Sequence, residues 1–187
     1  MPTRMDHTIA IVALIQALVA KLPADQQAWE RVLQAQLGGF YLPLHKRAKI
    51  AGQSTAWDFV QDDPKLPRVL LIGDSISIGY TLPVREALKG KANVHRPPGN
   101  CSSTGYTLSK LEEWLGTGKW DVIHFNWGLH DAKLPPEGVR HAPPDVYEKN
   151  LRQLVTRLKA TGAKLIWATT TPVPMGGNLA PNRRFDS

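Results

Sequence analysis

The chain lacks most of the features that mark specialised classes of protein. Its 187 residues include one cysteine, Cys101, so an internal disulfide is excluded and the redox compartment stays open. No apolar run reaches the ~20 residues that a membrane-spanning helix needs. The stretch from Ile9 to Ala20 comes nearest and is interrupted by Gln16. No loop has calcium-loop or glycine-rich phosphate-loop spacing, and no zinc-finger spacing occurs. Acidic residues are outnumbered, 16 against 23 basic, for a net charge of +7. The excess is dispersed in short clusters such as Lys46-Arg47-Ala48-Lys49, Lys89-Gly90-Lys91 and Arg183-Arg184. No basic run is interleaved with aromatics. A solvated basic surface is therefore expected, and a nucleic-acid partner is not.

The composition that remains suits a globular domain. A hydrophobic share of 42% against a charged share of 21% allows a real core, and the length suggests one main domain. Arg4, the apolar stretch and the small residues ending at Ala20 resemble a secretory signal peptide over 1–20, diluted by Asp6. The same stretch reads equally as a core helix. Cleavage would place the protein outside the cytoplasm, and no cleavage would leave it inside. From Ala24 to Leu37, Trp29, Val32, Leu33 and Leu37 share a helical face, and Gly38-Gly39 follows. Residues 40–66 are expected to be irregular. Residues 1–66 are read as an N-terminal extension packed on a main domain at 67–187.

After residue 67 the pattern alternates. Val69 to Ile72 is a short apolar run suited to a strand buried on both faces. A short helix is expected from Thr81 to Leu88, with Pro83 in its first turn. Strands are expected at Ala92 to His95, Trp120 to Phe125 and Lys164 to Thr170. A helix face is marked by Leu108, Leu111 and Leu115. Another helix carries Tyr147, Leu151, Leu154, Val155 and Leu158, and Asp145 and Glu148 have capping-box spacing. Such alternation predicts parallel strands with helical crossovers. The loops near Ser75, Pro97, Asn126 and Pro172 then all lie at one edge of the sheet, where open α/β sheets bind ligands.

Three stretches on that edge carry chemistry. Gly73-Asp74-Ser75 lifts a serine hydroxyl from a strand end to the start of a helix, whose N–H groups point at whatever binds there. A structural alternative is that Asp74 and Ser75 only cap the helix. Asn100-Cys101-Ser102-Ser103-Thr104-Gly105-Tyr106-Thr107 follows the second strand. Asn126-Trp127-Gly128-Leu129-His130-Asp131 follows the third.

In these motifs, over residues 68 to 175, the chain resembles the SGNH, or GDSL-type, hydrolases. The resemblance implies a three-layer α/β/α sandwich with a mostly parallel, flavodoxin-like sheet. It implies that Ser75 is a nucleophile, with Asp74 beside it, and that the Gly105 backbone N–H is an oxyanion donor. The family's third block reads Gly-x-Asn-Asp, and its asparagine is a further oxyanion donor. Here His130 stands in that place. A neutral imidazole N–H can donate a hydrogen bond, so either His130 or the nearby Asn126 can fill the role. The resemblance also implies a base in a C-terminal Asp-x-x-His block. The chain ends Asn182-Arg183-Arg184-Phe185-Asp186-Ser187, with no such spacing near that end. It therefore resembles a family member without its last part. His130 and, more weakly, His141 are the substitutes for the base.

The leading expectation is a serine esterase acting on small carboxylic esters (short-chain acyl, aryl or acetylated-sugar), with no cofactor and no metal. Trp127, Tyr106 and Tyr80 are candidates for stacking on a sugar, although core packing serves equally well, particularly for Tyr80. An alternative is a catalytically incomplete relative that binds a carbohydrate or acyl ligand. A nucleotide binder using the same turn is a third reading, disfavoured by the missing glycine-rich loop. A homodimer is expected if an open sheet edge is covered by a second copy.

Overall fold

The computed structural model describes residues 17–134, 141–171 and 184–185. The first sixteen residues of the signal-like segment and the loop around Pro172 lie outside this range. The chain divides into two compact units, residues 1–59 and 60–187. Among the described residues, no helix is long and apolar enough to cross a membrane.

The described part of the first unit includes two full helices, α1 (Ala24–Gln36) and α2 (Gly38–Ile50). The expected apolar face of α1 is present, with Leu33 and Leu37 buried and Trp29 Nε1 donating to the Trp57 carbonyl at 2.7 Å. The second helix corrects the expectation of irregular chain after residue 40. Pro43 deletes one backbone donor, but it lies on an exposed side where the orphaned carbonyl meets water. His45, buried on the other side, bonds Thr55 Oγ1 at 2.9 Å and fixes the helix from its inner face.

The second unit is the α/β run. Its elements are β1 (Arg68–Ile72), α3 (Ser75–Ala87), β2 (Asn93–His95), α4 (Thr104–Leu115), β3 (Val122–Phe125), β4 (Lys133–Leu134), α5 (Pro144–Ala160), β5 (Lys164–Trp167) and β6 (Arg184–Phe185). Four strands form a wholly parallel sheet in the order β2-β1-β3-β5. The two-residue strands β4 and β6 pair antiparallel. The segment before β1 is held by polar contacts. Asp62 bridges His95 Nε2 and Arg68 Nε, and the Asn93 amide donates to the Asp63 and Leu66 carbonyls.

Side chains alternate across the sheet as the strand repeat requires. Leu70, Ile72, Ile123 and Phe125 face one way, onto Leu111 and Leu115 of α4 and Leu154 and Leu158 of α5. Val69, Leu71 and Val94 face the other way, onto Tyr80, Val84 and Leu88 on and beside α3. The result is the three-layer α/β/α sandwich. The helix after β1 and the helix after β3 cover opposite faces, so a crevice opens at the carboxyl ends between these neighbouring strands. The first and third motif loops flank that crevice.

Two helix starts differ from expectation. Helix α3 begins at Ser75, six residues before the predicted Thr81, and runs through Pro83. Pro83 and the Gly79 carbonyl it leaves unpaired are on the exposed side, which makes the interruption tolerable. Helix α5 is entered at Pro143 with Pro144 at its first position and no side-chain cap. Asp145 lies in the first turn, where its charge faces the positive end of the helix dipole, rather than at the cap. Strand β5 ends at Trp167 rather than Thr170. Just beyond it the Asn126 amide donates to the Ala168 and Thr169 carbonyls at 2.8 and 3.0 Å.

Candidate active site

The turn between β1 and α3 is built around Asp74. Its carboxylate is 1% exposed, and Oδ1 accepts the Ile76 N–H at 2.9 Å, capping α3. Ser77 Oγ donates back to the Asp74 carbonyl at 2.7 Å. Gly73 is required by space: a Cβ there would stand 2.9 Å from Ser77 Cβ and press on the turn. Ser75 follows as the first residue of α3 and is exposed. Its backbone N–H belongs to the first turn, whose donors have no partner within the helix. Asp74 thus caps the helix, whereas Ser75 is its exposed first residue and not a cap.

The second motif loop is tied to the first through the Cys101 N–H, which donates to the Gly73 carbonyl at 3.2 Å. Cys101 is fully buried, and burial pushes its thiol up to about 12, so it is a neutral core group and not a rival nucleophile. Ser103 caps α4 through its side chain, and Gly105 is the second residue of that helix. Gly105 is exposed, and the only atom near a Cβ placed there is Asn150 Nδ2 at 3.8 Å. The orphan N–H of Gly105 is thus a first-turn donor.

The third loop closes on both. His130 Nδ1 lies 3.3 Å from Ser102 Oγ, and His130 Nε2 lies 4.0 Å from Asp74 Oδ2. Burial holds the imidazole below its ordinary range, opposed by the Asp74 charge, so the ring is neutral at pH 7. The next residue points elsewhere. Asp131 is 1% exposed and accepts the Thr104 N–H at 3.0 and 3.1 Å and the Thr104 hydroxyl. Burial raises its carboxyl, and the Thr104 bonds work against that rise. Gly128 makes the loop possible. Its φ is +145°, and a Cβ there would collide with the Thr170 hydroxyl, which donates to the Trp127 carbonyl at 2.8 Å.

The structure therefore brings Asp74, Ser102 and His130 together and joins the three loops at one sheet edge. Asn126, the other oxyanion candidate, lies on the same edge, but its amide is engaged by the carbonyls after β5. His141 is exposed, and its backbone N–H donates to the Lys133 carbonyl. Of the three stacking candidates, Trp127 is fully buried in the core and Tyr80 is half-buried against the α3-side cluster, whereas Tyr106 is 44% exposed. Two participants escaped the sequence reading. Asp131 was legible only as a neighbour of His130, and Ser102 carried no signal beyond its place in the second block. An Asp-x-x-His spacing does occur at Asp121–His124, but it lies inside the sheet. Asp121 Oδ2 accepts the Arg68 N–H at the amino end of the strands, far from the crevice. Among the described residues, no group of three His, Cys, Asp or Glu side chains could hold a metal.

No family model matches the chain. A search of known proteins finds an arylesterase of Vibrio mimicus, 27% identical over 130 residues, or 64% of this chain and 62% of the relative. That likeness is in keeping with the resemblance of the three motifs to the SGNH, or GDSL-type, hydrolases. The chain spans about three-fifths of the length of that relative. Among solved structures, the crystal structure of a GDSL-like lipase from Bacteroides thetaiotaomicron is 19% identical, with a TM-score of 0.44 over 66% of this chain and 56% of that one.

Proposed function

We propose that this chain carries the nucleophile and oxyanion hole of a carboxylic ester hydrolase acting on small acyl, aryl or acetylated-sugar esters. The observation that carries the proposal is the mutual locking of the three motif loops around Ser75: Cys101 on Gly73, His130 beside Asp74, and Asp131 on the start of α4. In this reading Ser75 Oγ attacks the ester carbonyl as its proton leaves to a base. The carbonyl oxygen becomes an oxyanion held by the N–H groups of Ser75 and Gly105 and by the His130 imidazole. Collapse expels the alcohol, which regains a proton, and water then releases the acid from the acyl-serine. Among the described residues no side chain hydrogen-bonds Ser75, and within this chain His130 and, more weakly, His141 are the candidates to take its proton. A pocket of about 240 Å³ beside the third loop has largely apolar walls, including Ala132, Ala142 and Tyr147, which suits a small acyl or aryl group.

The test is hydrolysis of p-nitrophenyl acetate by the chain, with Ser75→Ala alongside. Turnover that falls to background in the variant is the expected result. Turnover unchanged by the variant, or none in the parent, overturns the esterase reading.

A further inference from the structure

His130 can serve an oxyanion only if its proton sits on the nitrogen that faces the crevice. A neutral imidazole carries one proton, on either Nδ1 or Nε2, and the partner of one nitrogen decides the state of the other. Here the two nitrogens have different neighbours. Nδ1 faces the Ser102 hydroxyl at 3.3 Å, a group able to donate. Nε2 faces Asp74 Oδ2 at 4.0 Å, too far for a hydrogen bond but close enough for the carboxylate to favour a proton on that side. Asp74 Oδ2 is itself buried and has no hydrogen-bond partner among the described residues, although the other oxygen of the same carboxylate caps α3. A buried unpaired carboxylate oxygen is costly, and a proton on the nearby ring nitrogen lowers that cost through space without being tied to it.

Ser102 is held for this contact in an unusual way. Its φ of 51° makes it the only non-glycine residue with positive φ among the described residues. Local strain of this kind is concentrated at functional sites. The strain is maintained by the Asn100 side chain, whose Oδ1 accepts the Ser102 N–H at 2.8 Å. The same bond argues against Ser102 as a second nucleophile, because its own N–H is no longer available to an oxyanion beside it.

We propose that Ser102 and Asp74 are positioning residues that keep the His130 proton on Nε2, so that Nε2–H is the donor in the oxyanion hole. Ser102 donates its hydroxyl proton to Nδ1, and Asp74 favours the N–H at the opposite end of the ring. The other charged or titratable groups near the imidazole, Lys133, Asp131 and His141, are set by the same loop and its neighbour. The proposal rests on the esterase reading for the use of the proton but not for its location, which can be measured without turnover.

The experiment is nitrogen-15 NMR of the histidine rings of the intact chain at pH 7.5, with His130 assigned from His130→Gln. The expected result is a protonated Nε2 and an unprotonated Nδ1, beyond the modest preference of free imidazole. Ser102→Gly removes the hydroxyl and also relieves the positive φ, so it should fold at least as well as the parent. It should return His130 toward the free-imidazole mixture. Asp74→Asn keeps an equally good helix cap and presents an amide instead of a carboxylate, so it should move the proton toward Nδ1. A parent with the proton on Nδ1, or a Ser102→Gly spectrum identical to the parent, overturns the proposal. If the tautomer behaves as expected and Ser75→Ala still hydrolyses the ester normally, the esterase reading fails while the positioning inference stands. If both readings hold, Ser102→Gly lowers kcat several-fold or more with KM little changed, because the donor acts on the transition state.

Discussion

Removing the Asp131 carboxylate should destabilise the protein far more than removing any surface carboxylate. Asp131 is 1% exposed, and it accepts both the first backbone N–H of α4 and the Thr104 hydroxyl. Hydrogen bonds to a charged acceptor contribute roughly 1.5–3 kcal/mol each, and a buried donor left without an acceptor costs a comparable amount. Two such donors are stranded in Asp131→Ala. The Thr104 side chain is itself fully buried, and Asn150 Nδ2 already donates to its Oγ1 at 3.2 Å, which keeps it in place. A loss of about 3 kcal/mol follows, and for a domain of this size that lowers Tm by roughly 10 °C. Asp131→Asn retains one acceptor and should lose about half as much. Thermal unfolding followed by circular dichroism, with a urea titration to check that the slope is unchanged, measures both variants. An Asp131→Ala protein melting within about 2 °C of the parent would mean that the third loop is not fastened to α4 in this way. The placement of Gly105 relative to His130 would then lose its support.

Other outcomes follow from the same geometry. Gly128→Ala should cost about 2–4 kcal/mol through its collision with Thr170 and its positive φ, and Thr170→Ser should recover only part of that, since the hydroxyl stays in the way; chemical unfolding of the three proteins reads this. Gly73→Ala should be milder in stability, about 1–3 kcal/mol, yet should lower esterase activity strongly, because the displaced atoms carry Ser75. Because burial lowers the His130 pKa, the unfolded chain takes up a proton first as pH falls below the ordinary value near 6.5. Stability therefore drops on acidification through the window between 6.5 and the lowered value, and His130→Gln should remove part of that slope. His95 and His124 are shifted the same way, so the difference between parent and variant is the quantity to compare. His130→Ala should reduce ester turnover ~100–1000-fold as the loss of one oxyanion donor.

Much of the second unit was legible because its strands are short, apolar and bounded by turn chemistry. Val69 to Ile72 is such a run, and the side chains that alternate along it divide between the two cores as a strand's must. The helix stripe from Tyr147 to Leu158 was equally plain, since its 3.6-residue repeat is long enough to exclude a strand. The element starts were less legible. Pro83 read as a first-turn proline because local preference favours that position, whereas exposure lets it sit in the ninth position of α3. Likewise α2 was missed because its apolar repeat is weak, and the buried His45 that holds it down has its partners ten and fifteen residues away. The site divided along similar lines. Ser75, Gly105 and His130 could be named from motif order. The pairings of Asp131 with Thr104 and of His130 with Ser102 join residues 27 and 28 positions apart, and no local spacing encodes them.

The most direct test of the account is the site at which a fluorophosphonate ester becomes attached. The intact chain would be incubated with the reagent, digested, and mapped by peptide mass spectrometry. The account predicts one adduct, on the peptide carrying Ser75, absent from Ser75→Ala and slowed in His130→Ala. An adduct on Ser102, or no adduct on any serine, would contradict it.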